Sequence, residues 1–284
     1  RGREKDSFSM AKPVVDSLIP YIDYYYFQES LEDDGAYAFV FYPNTHNALT
    51  VYKNSVIENH QNGSIAVPSE QELFVCYTAI QPKAFQVYIK RPYRKIGVVF
   101  KPLGFNHFIR EKLSVLIPEK HGLGVLNAEI KERLTPVLRK VFQETNTHKK
   151  VGLLDAFFEA EQKPFGEKEL KKSVNLISRN HGNLHVNEVA TKVGLSRRTL
   201  GRLFLDHCRC SPKTYINVVK FRRALKLYMD ATDKPRLIDV ALGSEFYDQS
   251  EFINHFKKLT GYKPGKELKE ILSIGEQDTF WKLQ

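Results

Sequence analysis

Apolar positions along this chain recur with two different periods. Between residues 14 and 106 they come in short β-branched or aromatic runs: Ala36–Tyr42, Leu49–Tyr52, Leu73–Tyr77, Phe85–Ile89 and Ile96–Phe100. Pro43-Asn44, Gln61-Asn62-Gly63-Ser64 and Gln81-Pro82 separate them, and these residue types favour turns. The pattern predicts a mostly antiparallel sheet or barrel. From about residue 105 the apolar spacing lengthens to three and four, the period of an amphipathic helix. Thr135-Pro136 reads as an N-cap followed by proline at the first helical position, with Val137, Leu138, Val141 and Phe142 as the apolar stripe. Leu153, Leu154, Phe157 and Phe158 form another stripe, suited to packing on the sheet or to a dimer seam. The pattern breaks at Glu159–Gly166. The expected division is an N-terminal α+β domain over 1–160 (antiparallel, barrel-like sheet plus helices), a linker at 161–166, an all-α domain over 167–273 and a tail at 274–284.

Within the second domain, residues 167–180 read as an amphipathic helix with Leu170, Val174 and Ile177 on one face and Gly182 just past its end. A stricter grammar follows. Ala190 is small where a second helix must approach closely, and Gly194 can take the positive φ of a tight turn. Ser196 can N-cap a helix that buries Leu200, Leu203 and Phe204. Arg197, Arg198, Gly201 and Arg202 are then left on its open side. The same pattern returns from Leu237 to Lys258. Asp248 and Glu251 make a D-x-x-E capping box, and Phe252 and Phe256 face inward. Gln249, Ser250, Ile253 and Asn254 face outward, with Lys257 and Lys258 toward a backbone. Ala190 to Ala241 and Phe204 to Phe256 are 51 and 52 residues apart, which marks an internal duplication. The two helix-turn-helix units, at about 186–207 and 237–258, are joined by one expected helix over 212–229. Eighteen residues at ~1.5 Å each span about 27 Å. A rod of that length holds two recognition helices near the ~34 Å repeat of the duplex, so one chain can enter two successive major grooves.

Charge agrees with this division. The 284 residues carry +10, with 43 Lys plus Arg against 33 Asp plus Glu. Residues 1–165 hold 21 basic and 19 acidic residues, a net of +2; residues 166–284 hold 22 and 14, a net of +8. The excess points to an anionic partner for the C-terminal half. No run approaches the ~18 apolar residues of a membrane span, so no membrane partner is expected. The basic start, Arg1-Gly2-Arg3-Glu4-Lys5, leads into no apolar stretch with a cleavage site, so no secretory signal is read there. Cys76, Cys208 and Cys210 are too few and scattered for a disulfide framework, which favours the cytoplasm. Cys208-x-Cys210 lacks a second Cys/His pair at zinc spacing, so no metal is expected. No metalloprotease, P-loop, nucleophile-elbow or dinucleotide motif is present, and no cofactor is expected. His46, His60, His107 and His121 are far apart, and His207 and His255 sit inside the duplicated units.

Residues 170–270 are similar to the AraC/XylS family of bacterial transcription regulators. In the first unit the resemblance rests on Ala190, Gly194, Leu195-Ser196, Leu200, Arg202-Leu203-Phe204, Ser211-Pro212, Tyr215-Ile216 and Ala224. In the second it rests on Ile238, Ala241, Phe246, Asp248-Gln249-Ser250, Phe252, Phe256-Lys257, Thr260-Gly261 and Pro264. It implies a DNA-binding domain of two helix-turn-helix units on double-stranded promoter DNA, commonly in contact with RNA polymerase. The implied base-contacting positions are Arg198, Gly201 and Arg202, then Gln249, Ser250, Ile253 and Asn254. The chain departs from the family where Glu245 and Cys210 replace its usual glycines, which raises the question of a non-glycine residue at positive φ. Ile253 can meet a thymine methyl but cannot hydrogen-bond.

The N-terminal half is more weakly similar to sensor regions of some such regulators, through Phe100-Lys101-Pro102-Leu103-Gly104. This implies a β-rich effector domain without naming the ligand. The aromatic run Tyr21–Phe27 is expected to pack under the sheet, with the wall of a small-molecule pocket as the alternative. Lys90–Lys95 reads as a solvated basic loop, or as an anion site. Two rival roles for this half are oligomerisation alone, for instance as a homodimer, and a fused enzyme; no clustered nucleophile, base or metal set in 1–160 supports the latter.

Overall fold

The computed structural model describes residues 7–31, 35–60, 63–118, 123–126, 129–274 and 279–283. His121 and the leading Arg1–Lys5 lie outside them. The N-terminal half is built from β1 (Ser7–Ala11), β2 (Ile22–Ser30), β3 (Ala36–Phe41), β4 (Asn47–His60), β5 (Gly63–Thr78), β6 (Phe85–Lys90), β7 (Tyr93–Phe100), a 3-10 turn at Gly104–His107, α1 (Leu113–Leu116), β8 (Leu123–Val125), α2 (Glu129–Gln143) and α3 (Thr147–Glu161). These strands form an antiparallel sheet except for one parallel pairing, β5 with β6. The order runs β1-β2-β7-β4-β5-β6-β3, with β8 beside β5.

β4 and β5 make a long hairpin that bends at Asn54, where the register shifts and φ is 53°. Tyr93 on β7 and Phe39 on β3 stand four strands apart in the order yet share one buried cluster with Tyr52, Cys76 and Val87. The sheet is therefore curled onto itself. Its outer face carries the larger core, where Tyr25, Phe27, Val98 and Phe100 meet Leu134, Leu138, Leu154 and Phe158 of α2 and α3. Asp155 on α3 ties the start of the chain down, accepting hydrogen bonds from the Val14 and Val15 amides at 2.7 and 3.1 Å and from the Tyr25 hydroxyl at 2.6 Å.

Two expectations are corrected here. Pro136 is inside α2 rather than at its start, because the buried stripe already begins at Ile130 and Leu134. Thr135 does not cap; its hydroxyl donates back to the Lys131 carbonyl at 2.7 Å. The Leu154, Phe157 and Phe158 stripe is spent on the sheet.

The C-terminal half continues with α4 (Lys168–Arg179), α5 (Val186–Val193), α6 (Arg197–Cys208), α7 (Pro212–Asp230), α8 (Leu237–Gly243), α9 (Gln249–Thr260) and α10 (Pro264–Glu270). No helix among the described residues is long and apolar enough to cross a membrane. Residues 272–274 and 279–283 then form β9 and β10, and β10 pairs antiparallel with β3, Lys282 opposite Val40. The stretch read as a tail thus returns to the N-terminal sheet.

Candidate nucleic-acid interface and internal cavity

In the first unit, α5 ends at Gly194, whose φ is 71°. Ser196 then caps α6, its hydroxyl accepting from the Thr199 amide at 3.1 Å. Val189, Ala190, Leu200 and Phe204 pack with Leu170, Val174 and Ile177 of α4 into one core. Packing the inner face in this way leaves Arg197, Arg198 and Arg202 exposed and Gly201 half-buried.

The second unit repeats the logic with one difference. Asp248 accepts from the Glu251 amide at 2.7 Å, but the Glu251 carboxylate takes the Tyr247 amide, also at 2.7 Å, one residue before the cap. Phe246, Phe252 and Phe256 close the core with Val240 and Ala241. Gln249, Ser250, Asn254 and Lys257 are exposed and Ile253 is half-buried. All nine residues predicted for DNA contact therefore lie on α6 or α9 outside the two cores. Glu245 sits at φ 60°, as its place in the family pattern implied, whereas the second positive φ falls on Arg209, at 57°, and not on Cys210.

α7 joins the units as one helix of 19 residues, about 28 Å long at ~1.5 Å per residue. Tyr215 and Ile216 lie in the first core, and Phe221, Ala224, Leu225 and Tyr228 in the second. α6 and α9 are therefore set on one rod rather than on a flexible tether.

Contacts with the N-terminal half were not legible from spacing. On α6, Asp206 pairs with Lys112 at 2.7 Å and accepts from the Ser114 hydroxyl at 3.3 Å. Asn106 donates to the His207 carbonyl at 3.1 Å. Phe165, in the stretch read as a linker, lies against both His107 and His207, with ring centroids 5.8 and 5.1 Å apart. Burial lowers the pKa of both histidines. On the second unit, Val40, Tyr42 and Ala84 join the core, and the Tyr42 hydroxyl bonds the Glu267 carboxylate of α10.

The curled sheet encloses a cavity of about 70 Å³. Aromatic rings form much of its wall, among them Tyr24, Tyr26, Phe39, Phe41, Tyr52 and Phe85. The run Tyr21–Phe27 thus serves both readings, because alternate residues of a strand face opposite ways. Tyr25 and Phe27 pack outward into the core, while Tyr24 and Tyr26 line the cavity. Gly97 makes room for the Tyr26 ring, which a Cβ there would meet at 1.8 Å. Lys95 enters from β7, 3% exposed, with its ammonium 5.1 Å from the Phe39 ring and 5.7 Å from that of Tyr26. Burial pulls its pKa down to about 7. No carboxylate is among the described cavity-lining residues, and Asn44, His46, Asn47, Thr50 and Thr78 add polar side chains to the tyrosine hydroxyls. The basic run 90–95 is therefore not one solvated loop: Arg94 pairs with Glu29 at 2.9 Å, and Lys95 turns inward. Cys76, buried in the same cluster, has its thiol pushed up to about 12 by burial.

Comparison with known proteins bears on the C-terminal half. Residues 189–270 match the family model of a helix-turn-helix domain. Over 103 residues the chain is 31% identical to the Msm operon regulatory protein of Streptococcus mutans serotype c (strain ATCC 700610 / UA159), covering 36% of this chain and 36% of that protein. Among solved structures, an AraC-type DNA-binding regulator from Chromobacterium violaceum aligns at 24% identity and a TM-score of 0.33, over 37% of this chain and 92% of that one. ToxT from Vibrio cholerae strain SCE256, solved with an unsaturated fatty acid bound, aligns at 15% identity and a TM-score of 0.46, over 98% of this chain and 99% of that one.

Proposed function

Residues 189–270 match a helix-turn-helix domain, and from that premise we propose that the chain is a sequence-specific, non-enzymatic transcription regulator of the AraC/XylS type, acting in the cytoplasm. In this reading α6 and α9 enter two successive major grooves of promoter DNA. The observation that carries it is the pair of capped recognition helices held on one continuous α7, each with an exposed basic or polar face. Arg198 and Arg202 read or anchor the first half-site, with Arg197 on the phosphate side. Gln249, Ser250, Ile253 and Asn254 read the second, with Lys257 on the backbone. Gly201 offers no side chain, so the first site rests on its arginines. Arg202→Ala tests this by fluorescence anisotropy. A loss of about 1–3 kcal/mol on the cognate duplex and little on a scrambled one supports base reading. Equal loss on both assigns Arg202 to phosphate.

The N-terminal half, in the same reading, senses a small effector in the cavity. A cavity of about 70 Å³ with aromatic walls and one buried cation suits a small carboxylate of a few heavy atoms, a larger acid requiring the walls to part. The carboxylate would pair with Lys95 and restore its proton. Affinity is then highest below pH 7 and falls as the pH rises past that value, because the empty site releases the proton there. Isothermal titration with aromatic and aliphatic carboxylic acids across pH 6–9, on wild type and Lys95→Met, checks this. Binding that is indifferent to both pH and the substitution removes Lys95 from the role. The mass of the chain in solution, with and without ligand, decides between a sensor and a domain that serves only to form a homodimer. RNA polymerase is the further partner that the family resemblance suggests.

A further inference from the structure

A groove of about 710 Å³ lies between the N-terminal sheet and the end of α9. One wall is the loop leading into β6, with Lys83, and the start of that strand, with Gln86; the other is Asn254, Lys257 and Lys258 of the second recognition helix. The loop is not merely close. The Ala84 amide donates to the Leu259 carbonyl at 2.6 Å, in the last helical turn, where carbonyls lack partners within the helix. Ala84 and Val40 also pack into the core that holds Leu259. The loop is therefore fastened to the recognition helix, with Lys83 exposed beside it.

The charges along this groove are of one sign. Lys83, Lys257 and Lys258 are all exposed, and no acidic side chain is among its described lining residues. The groove is continuous with the outward face of α9 through Asn254 and Lys257. We propose that Lys83, from the N-terminal half, contacts the DNA backbone beside the half-site read by α9, so that the sensing domain is itself part of the DNA interface. This rests on the reading of α9 as a recognition helix. A major groove is walled by its phosphates, and a lysine held at the end of an inserted helix lies where they pass. Such a contact carries no sequence information, but it lets an effector-driven shift of the sheet alter DNA affinity directly.

The test uses the full chain and a duplex carrying both half-sites, titrated between 50 and 200 mM salt. Lys83→Ala should lower the slope of log K against log salt by about 1, the release of about one counterion. It should weaken cognate and scrambled duplexes by the same factor, whereas Lys140→Ala on α2 changes neither. On a duplex trimmed to end at the α9 half-site, wild type and Lys83→Ala should become indistinguishable. An unchanged slope on the long duplex overturns the proposal. Tighter binding by Lys83→Ala overturns it too, since the loop would then be an obstacle. A flat salt response of the wild type itself overturns the DNA reading, and this proposal with it.

Discussion

At Glu245 the backbone adopts φ 60°, a conformation that costs a residue with a Cβ about 1 kcal/mol. Glu245→Gly should therefore stabilise the second unit by up to about that amount in chemical denaturation, an unchanged midpoint meaning that the added freedom of the unfolded chain cancels the relief. Gly182 is the opposite case. Its φ is 76°, and a Cβ would meet the Ile216 carbonyl at 2.6 Å and the Lys220 amide at 2.7 Å, so α4 could not close on α7. Gly182→Ala should cost more than about 1 kcal/mol and broaden the unfolding of the first unit. Protonation acts on single residues as well. Burial brings the pKa of His255 down to about 4 while its ring bonds the Asn217 carbonyl at 3.0 Å. Between about 4 and the free value near 6.5 the unfolded chain binds a proton that the folded chain does not, so this contribution is complete above 6.5 and is lost as the pH falls toward 4. The lowered His107 and His207 add to the same trend. Denaturation midpoints from pH 4 to 8 check it, and His255→Gln should flatten the acid limb.

At the scale of elements, β3 joins the two halves. Its side chains alternate: Phe39 and Phe41 line the cavity, while Val40 enters the core of the second unit and Tyr42, just beyond the strand, reaches Glu267. In the proposed reading, a ligand that moved the cavity wall would reach the helix-turn-helix core through β3, and also through Phe85 and its neighbour Ala84, which bonds Leu259. Tyr42→Phe should leave ligand affinity intact but reduce the ligand-induced change in DNA affinity; a change of undiminished size would place the coupling elsewhere. None of this coupling was legible in the sequence, because alternation along 36–42 shows two buried faces without saying what buries them. The helices of the duplicated units were legible, since their caps and small residues act over four residues or fewer. Asp248 capping Glu251 and Gly194 at positive φ depend on neighbours alone. Pro136 marks the limit of such local signals. A local rule puts proline at a helix start, but the buried stripe from Ile130 outweighs it.

Across the whole molecule, the charge asymmetry and the duplication pointed to DNA, yet they hid how closely the halves join. Asp206 with Lys112, Ala84 on Leu259 and β10 on β3 are long-range pairings that no periodicity encodes. The cavity cation was hidden likewise, since Lys95 sits in a run of basic residues in which Lys90 is exposed and Arg94 pairs with Glu29. What these pairings support is one body that places α6 and α9 at a fixed separation, with the aromatic-lined cavity of the sheet behind them. The central claim is that one chain reads two successive major grooves. Its most direct measurement is the affinity of the full chain for duplexes in which the spacing between the half-sites is varied one base pair at a time. The account predicts a single optimum, with an insertion of about five base pairs, half a helical turn, reducing affinity to that of one half-site alone. Affinity independent of that insertion would contradict it.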